Sequence, residues 1–242
     1  MKIQIFTILL ATILLTACTP NESEFKSDVP VNNPPTKIIT ELPTAFNLDI
    51  QFHPQAPTGN WDMPYQEACE EASLILAHNY MTDKKMSTEE FNQAIIDMVN
   101  WQVEKYGKHK DLTIKEVAEI AEEYLGYQDI EIIENPTIEQ IRTHLAAGHP
   151  IVAPSAGREL GNPFFTGEGP IYHMLVIRGY EGADATNPKD RKFITNDVGT
   201  RRGENFTYDE ETLLNALHDW VDGSKANPEL IKNGQRKILI LK

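Results

Sequence analysis

The sequence predicts an α+β domain, on two observations. Amphipathic segments opened by helix-capping residues fill the first part of the foldable chain, and short apolar runs bounded by Gly, Pro, Asn and Asp fill the second. Helices first and strands later imply a helical lobe packed on an antiparallel sheet. No internal repeat is present.

The N-terminal segment stands outside that domain. Met1 and Lys2 precede an almost unbroken apolar stretch from Ile3 to Leu15, too short to cross a bilayer and suited to the core of a signal peptide. It ends in Leu15-Thr16-Ala17-Cys18, a small-residue site followed at once by cysteine, which resembles the lipobox of bacterial lipoproteins. The resemblance implies cleavage before Cys18, acylation of that residue, and an extracytoplasmic protein anchored by lipid to a bacterial membrane. Thr19 in place of aspartate would permit outer-membrane sorting, to the outer membrane or cell surface. An ordinary secretory signal with a chance cysteine would read the same way. From Thr19 to about Pro43 the chain is rich in Pro, Asn, Ser, Thr and charge, and has too little apolar surface to offset its ordering entropy. The expected organisation is a signal peptide at 1–17, a lipid-attached flexible linker at 18–46 and one folded domain at 47–242, long enough for a single core.

Within the folded part, Cys69, Ala72, Ser73, Leu76 and Tyr80 recur at helical spacing, which predicts a helix carrying them on one face. Pro64 stands just before it, where helices begin. Ser87 with Glu90 forms a capping-box pattern opening a helix to Tyr106. Thr113 with Glu116 repeats it for a helix to Leu125, ended by Gly126. A short helix spans Thr137 to Ala147, stopped by Gly148 and Pro150. Strands follow at Ile151–Ala153, His173–Ile177, Lys192–Asn196 and Lys237–Leu241. Gly157 to Pro170 reads as a long loop, and Asp209 to Val221 as a last helix carrying Leu213, Leu214, Leu217 and Trp220.

Acidic residues outnumber basic ones 36 to 22, giving a net charge of −14 with no basic stripe. Phosphates would be repelled, which excludes a nucleic-acid partner, and the overall charge hints at neutral or basic substrates. Of two cysteines, Cys18 is consumed by the lipobox, so Cys69 is a lone thiol and no intramolecular disulfide can form in the mature chain. Outside the cytoplasm such a thiol is prone to oxidation, so burial or reactivity must account for it. There is no His-Glu-x-x-His zinc helix, no Gly-x-Ser-x-Gly elbow, no phosphate-binding glycine loop and no Cys-x-x-Cys. No metal and no cofactor are expected. Asn205-Phe206-Thr207 matches a glycosylation acceptor that a bacterial lipoprotein would leave idle.

A thiol attacks as thiolate, and a helix N-terminus favours the anion. Cys69 sits near such a terminus. Glu70 and Glu71 suit a first helical turn but would raise the thiol pKa if they faced it, so a nearby imidazolium would have to outweigh them. The bland alternative is a buried structural thiol. His173 opens the run to Tyr180 and so mounts an imidazole at the start of a core strand; a packing histidine would look alike. His53, His78, His109, His144, His149 and His218 read as surface or packing residues. Asn196-Asp197 ends the next strand and offers an amide or a carboxylate to orient the base. Asp197 is favoured, although Asn-Asp followed by Val198-Gly199 is also ordinary turn chemistry. Gln55 and Gln66 both qualify by type to join the Cys69 backbone N–H as oxyanion donors.

Cys69, His173 and Asp197 stand in the order thiol, histidine, acid. That order resembles the papain-like clan, and specifically bacterial domains similar to bacteriocin-processing, double-glycine-leader peptidases. The residues that carry the likeness are Gln55-Ala56-Pro57 with Asn60-Trp61, Cys69-Glu70-Glu71-Ala72-Ser73-Leu74, His173 with Gly179-Tyr180, and Asn196-Asp197-Val198-Gly199-Thr200. The resemblance implies a papain-like fold in which Cys69 attacks a carbonyl, His173 shuttles the proton, Asp197 orients His173 and Gln55 completes the oxyanion hole. Gln66 stands too close to Cys69 to reach round. Two departures are a long spacer between Gln55 and Cys69, and Val198 where proline often follows the acid. The implied activity is hydrolysis of peptide or protein substrates, with amidase or transpeptidase chemistry open to the same residues, and a monomer is expected although the sequence does not fix the oligomeric state. The competing class is a non-catalytic surface lipoprotein using the fold as a binding module. A thiol oxidoreductase lacks a resolving cysteine.

Overall fold

Capping chemistry sets where the helices of this protein begin. A computed structural model describes residues 41–242; the expected signal peptide, Cys18 and most of the expected linker lie outside the described residues. After a short strand β1 (Phe46–Asn47) come helices α1 (Cys69–Met81), α2 (Thr88–Tyr106) and α3 (Ile114–Glu123). Complete capping boxes, Ser87 with Glu90 and Thr113 with Glu116, open α2 and α3, and Gly107 ends α2 in the left-handed conformation. Strand β2 (Ile130–Glu134) precedes α4 (Ile138–Ala146), which has a third capping box from Thr137 and Gln140. The remaining elements are β3 (Ile151–Ala156), β4 (Tyr172–Glu181), β5 (Lys192–Asn196), β6 (Phe206–Asp209), α5 (Glu210–Ala216) and β7 (Lys237–Leu241).

The strands form one antiparallel sheet in the order β2-β7-β3-β4-β5-β6, with β1 on β4. This is the α+β architecture expected. Strand β4 is buried from Tyr172 to Tyr180, so both of its faces are covered and its apolar run needs no alternation. Its register slips between Ile177 and Gly179, and the buried Arg178 there donates to Leu48 O, Ile50 O, Asn47 Oδ1 and Asn196 Oδ1. One guanidinium thus ties the entry segment to the end of β5. Gly179 is needed beside it, because a Cβ would stand 2.3 Å from Phe46 O. The chain is already held to the sheet before β1, where Thr44 O accepts from Ala183 N and Pro43 O from the Tyr180 hydroxyl.

Strands β1, β2 and β6 were not expected, a 3-10 turn (Gly157–Leu160) opens the expected long loop, and the first and last helices differ from expectation. Helix α1 is buried on all sides, at Leu74, Ile75, Leu76 and Ala77 as well as at Cys69, Ala72 and Ser73, because β4, β3 and β7 pack on it together with α2 and α3. One apolar face would not have sufficed. Pro64 opens a separate turn of 3-10 helix, Tyr65–Glu67, and α1 itself starts at Cys69. The last helix is shorter than Asp209–Val221: Asp209 still pairs with Lys192 in the sheet, and Leu217 leaves helical geometry to bridge Ser155. No helix among the described residues is long and apolar enough to cross a membrane.

The junction of β6 and α5 is closed by Glu210, which is buried and accepts from Arg142 Nε at 2.7 Å and Nη2 at 2.5 Å. Losing the guanidinium would strand a buried carboxylate. Arg142→Met is expected to lower unfolding free energy by about 3 kcal/mol in urea titrations, with Arg142→Met/Glu210→Leu recovering most of it. Equal losses in single and double variants would contradict the assignment.

Candidate active site

Cys69 is the first residue of α1 and is only 5% exposed, at the foot of a cleft of about 760 Å³. His173, Gln55, Trp61, Phe165 and Trp220 line the same cleft. The thiol does not rest as an anion. Its Sγ donates to Glu70 Oε2 at 3.0 Å, and Glu70 Oε1 accepts the Leu112 N–H at 3.0 Å. Burial pushes the Cys69 thiol well above its ordinary pKa, the Glu70 charge and hydrogen bond add to this, and the backbone of Met174 only partly opposes it. Glu70 is itself raised by burial and by the charges of Glu71 and Asp111. Of the two glutamates, Glu70 therefore faces the sulfur. Glu71 instead accepts from Gln102 and from His109 Nε2 at 3.0 Å, which makes His109 a partner in a buried network.

His173 is the second residue of β4, in register with Ser155 of β3, and is 2% exposed. Its Nε2 lies 2.8 Å from Asp197 Oδ1, which leaves Nδ1 as the nitrogen available to a thiol. Phe165 meets the ring edge-on at 5.3 Å between centroids, and a Cβ on Gly199 would stand 2.8 Å from His173 Cε1. The imidazole is thus packed against Phe165 and Gly199.

Asp197 follows the last residue of β5 and is fully buried. Four donors converge on it: His173 Nε2 and Gly199 N, at 2.8 and 3.0 Å, reach Oδ1, while Asn162 Nδ2 and the Tyr208 hydroxyl, at 2.8 and 2.5 Å, reach Oδ2. Burial opposes ionisation, yet the charge of His173 and the hydrogen bonds from His173, Tyr208 and Asn162 hold the carboxyl below the usual range. Burial and the Asp197 charge push the Tyr208 phenol far up, so it stays a donor.

Asn162 and Tyr208 were not foreseen from sequence. Asn162 sits in the long 157–170 loop, where nothing in local pattern marks it. The only local sign for Tyr208 is alternation within β6, where Tyr208 is buried and Thr207 exposed. Tyr208→Phe is expected to cost about 1–2 kcal/mol of stability at pH 7. A carboxyl with a depressed folded pKa contributes stability above its unfolded value, about 3.9, and loses it as pH falls through the folded value. Urea titrations should therefore show the gap between variant and wild type shrinking as pH falls from 7 to 3; a constant gap would mean the hydroxyl does not act on the carboxylate.

Gln55 is buried and lines the cleft, and its backbone N donates to Val198 O at 2.8 Å. Its side-chain amide donates to Tyr65 O at 2.8 Å and Gln66 O at 3.3 Å, so an oxyanion would have to replace the longer of these. Gln66 also lines the cleft and is exposed.

No curated protein matches the sequence. The crystal structure of a candidate C39-like peptidase from Bacillus anthracis is similar at a TM-score of 0.51 and 14% identity, covering 83% of this chain and 98% of that one, which shows a shared fold. The Peptidase_C39 like family matches residues 47–225, from β1 through the last cleft-lining lysine, Lys225. The chain belongs to the Peptidase_C39 like family.

Proposed function

We propose that the protein is a cysteine peptidase of papain-like arrangement in which Cys69 is the nucleophile, His173 the general base and acid, Asp197 the residue that orients His173, and Gln55 an oxyanion donor. Family membership supports cysteine-type peptidase activity. The observation that carries the assignment to residues is the His173 Nε2 to Asp197 Oδ1 bond of 2.8 Å beside a cleft shared by His173 and Cys69.

Because the resting thiol is protonated, attack proceeds by general-base catalysis rather than from a preformed thiolate. Cys69 turns from Glu70, His173 Nδ1 takes its proton, and sulfur bonds to the substrate carbonyl carbon. The Cys69 backbone N–H and the Gln55 amide receive the oxyanion. Collapse breaks the C–N bond as His173 returns the proton to the leaving amine, leaving a thioester. His173 then takes a proton from water, hydroxide adds to the thioester, and expelled sulfur regains the proton as the acid departs.

The site of action we infer from Leu15-Thr16-Ala17-Cys18 is extracytoplasmic, with Cys18 acylated and the domain tethered to a bacterial membrane. Metabolic labelling with an alkyne fatty acid checks this: label should be lost in Cys18→Ser.

The Cys69 Sγ to Glu70 hydrogen bond favours one competing reading, a binding module with an inert thiol. Intact-mass labelling with an electrophilic peptide probe separates the two. Expected is a single adduct at Cys69, formed much faster than on free cysteine and absent in Cys69→Ala. Labelling no faster than that of free cysteine would leave the binding module.

A further inference from the structure

The cleft carries two positive charges that the chemistry at Cys69 does not use. Arg201 and Arg202 lie between β5 and β6, just beyond Gly199, and both line the cleft with His173. Among the described residues the arginines paired with carboxylates are Arg142 and Arg158; Arg201 and Arg202 have no such partner. Arg202 stacks its guanidinium over Phe164 at 4.9 Å from the ring centroid. Stacking uses the face of the group and leaves its edge N–H donors free.

Arg201 is placed by the absence of a side chain. Its guanidinium lies against Gly59, where a Cβ would stand 1.7 Å from Nη2. That contact sets it on the segment carrying Gln55 and Trp61, which the Gln55 N to Val198 O bond joins to the Asp197 turn. The third cation of the cleft is already paired with two carboxylates: Lys225 binds Glu67 at 2.7 Å and Asp111 at 2.8 Å. Against the pull of burial, these two carboxylates push its ammonium up to about 12.

In a chain of net charge −14, these two guanidiniums line the cleft without a carboxylate partner and place positive charge on its wall just beyond the Asp197 turn. A planar guanidinium with free edge donors matches a carboxylate. We propose that Arg201 and Arg202 select acidic peptides, gripping carboxylates that flank the scissile bond. The proposal rests on the peptidase reading of the cleft and departs from the neutral or basic substrates hinted at by overall charge. A bound substrate meets the cleft wall before it meets the average surface.

The test uses the full chain and paired peptides that differ only by Glu or Gln beside the cleaved bond. Wild type should favour the Glu peptide in kcat/KM by about three- to tenfold, the ratio falling toward unity in R201Q/R202Q and with added salt. Equal use of both peptides by wild type, or a preference that survives in R201Q/R202Q, overturns the proposal. A second readout needs no turnover: the rate of Cys69 alkylation by anionic iodoacetate relative to neutral iodoacetamide should drop severalfold in R201Q/R202Q. An unchanged ratio sinks the arginine assignment, whereas absent peptide cleavage with a lowered ratio sinks only the peptidase reading.

Discussion

Replacing His173 by alanine is expected to lower kcat/KM for peptide cleavage by about 10²–10⁴-fold, the usual worth of a positioned general base. The effect should be at the upper end because the thiol here has no other acceptor suited to catalysis. Burial and Glu70 both favour the protonated sulfur, so little thiolate exists without a base. Asp197 separates orientation from charge. In Asp197→Asn the side-chain oxygen can still face His173 and Gly199, while the amide meets the Tyr208 hydroxyl, which can turn to accept, and Asn162 Nδ2 gives up its bond to position 197 and keeps the one to Tyr208. The ring then stays in place but loses the anion that stabilises its protonated form, a loss of about 10- to 100-fold. Asp197→Ala removes both and should fall nearer to His173→Ala. Steady-state kinetics of the three variants on one peptide decide this. Equal rates for Asp197→Asn and wild type would show that the carboxylate charge is not used.

The parts of this site that could be read in sequence are those announced by residue type. Cys69 is the lone thiol of the folded part, His173 heads an apolar run, and Asp197 directly follows the next strand; β4 and β5 are neighbours that bring the last two together. Helices α2, α3 and α4 were legible because their caps are written locally in Ser87, Thr113 and Thr137. Tertiary contacts determined the rest. Strand β6 has too few residues for its alternation to stand out, and its pairing with β5 makes it a strand. Strand β2, Ile-Glu-Ile-Ile-Glu, breaks alternation at Ile132-Ile133 and draws its stability from β7, far along the chain. The helix of Cys69 was legible as a helix, yet its rotation was not. Whether Glu70 or Glu71 would face the sulfur depends on Leu112, whose N–H holds Glu70, and on Gln102 and His109, which hold Glu71 away. Asn162 reaches Asp197 only because the long loop folds back over the end of β5.

That rotation makes Glu70 the residue whose neutralisation should change the thiol most. In Glu70→Gln the amide oxygen can keep the bond from Leu112 N, and the amide nitrogen then faces Cys69 as a donor in place of an acceptor. A carboxylate charge disappears beside the sulfur, and a hydrogen bond that favoured the thiol becomes one that favours the thiolate. The midpoint of Cys69 alkylation by iodoacetamide should move down by more than about one pH unit, each unit being 1.36 kcal/mol between protonation states. Stability should respond with a definite sign. A carboxyl whose folded pKa is raised contributes its full stability below the unfolded value, about 4.3, and loses it as pH rises toward the folded value. Glutamine carries no such penalty, so the variant should gain on wild type in urea titrations as pH rises from 4 to 8, and the two should differ least at pH 4. An alkylation midpoint that does not move would mean that the Glu70 charge does not act on the sulfur and that burial alone keeps the thiol protonated, and a gap in stability independent of pH would mean that folding does not raise the Glu70 carboxyl. The route to activation would then run entirely through His173.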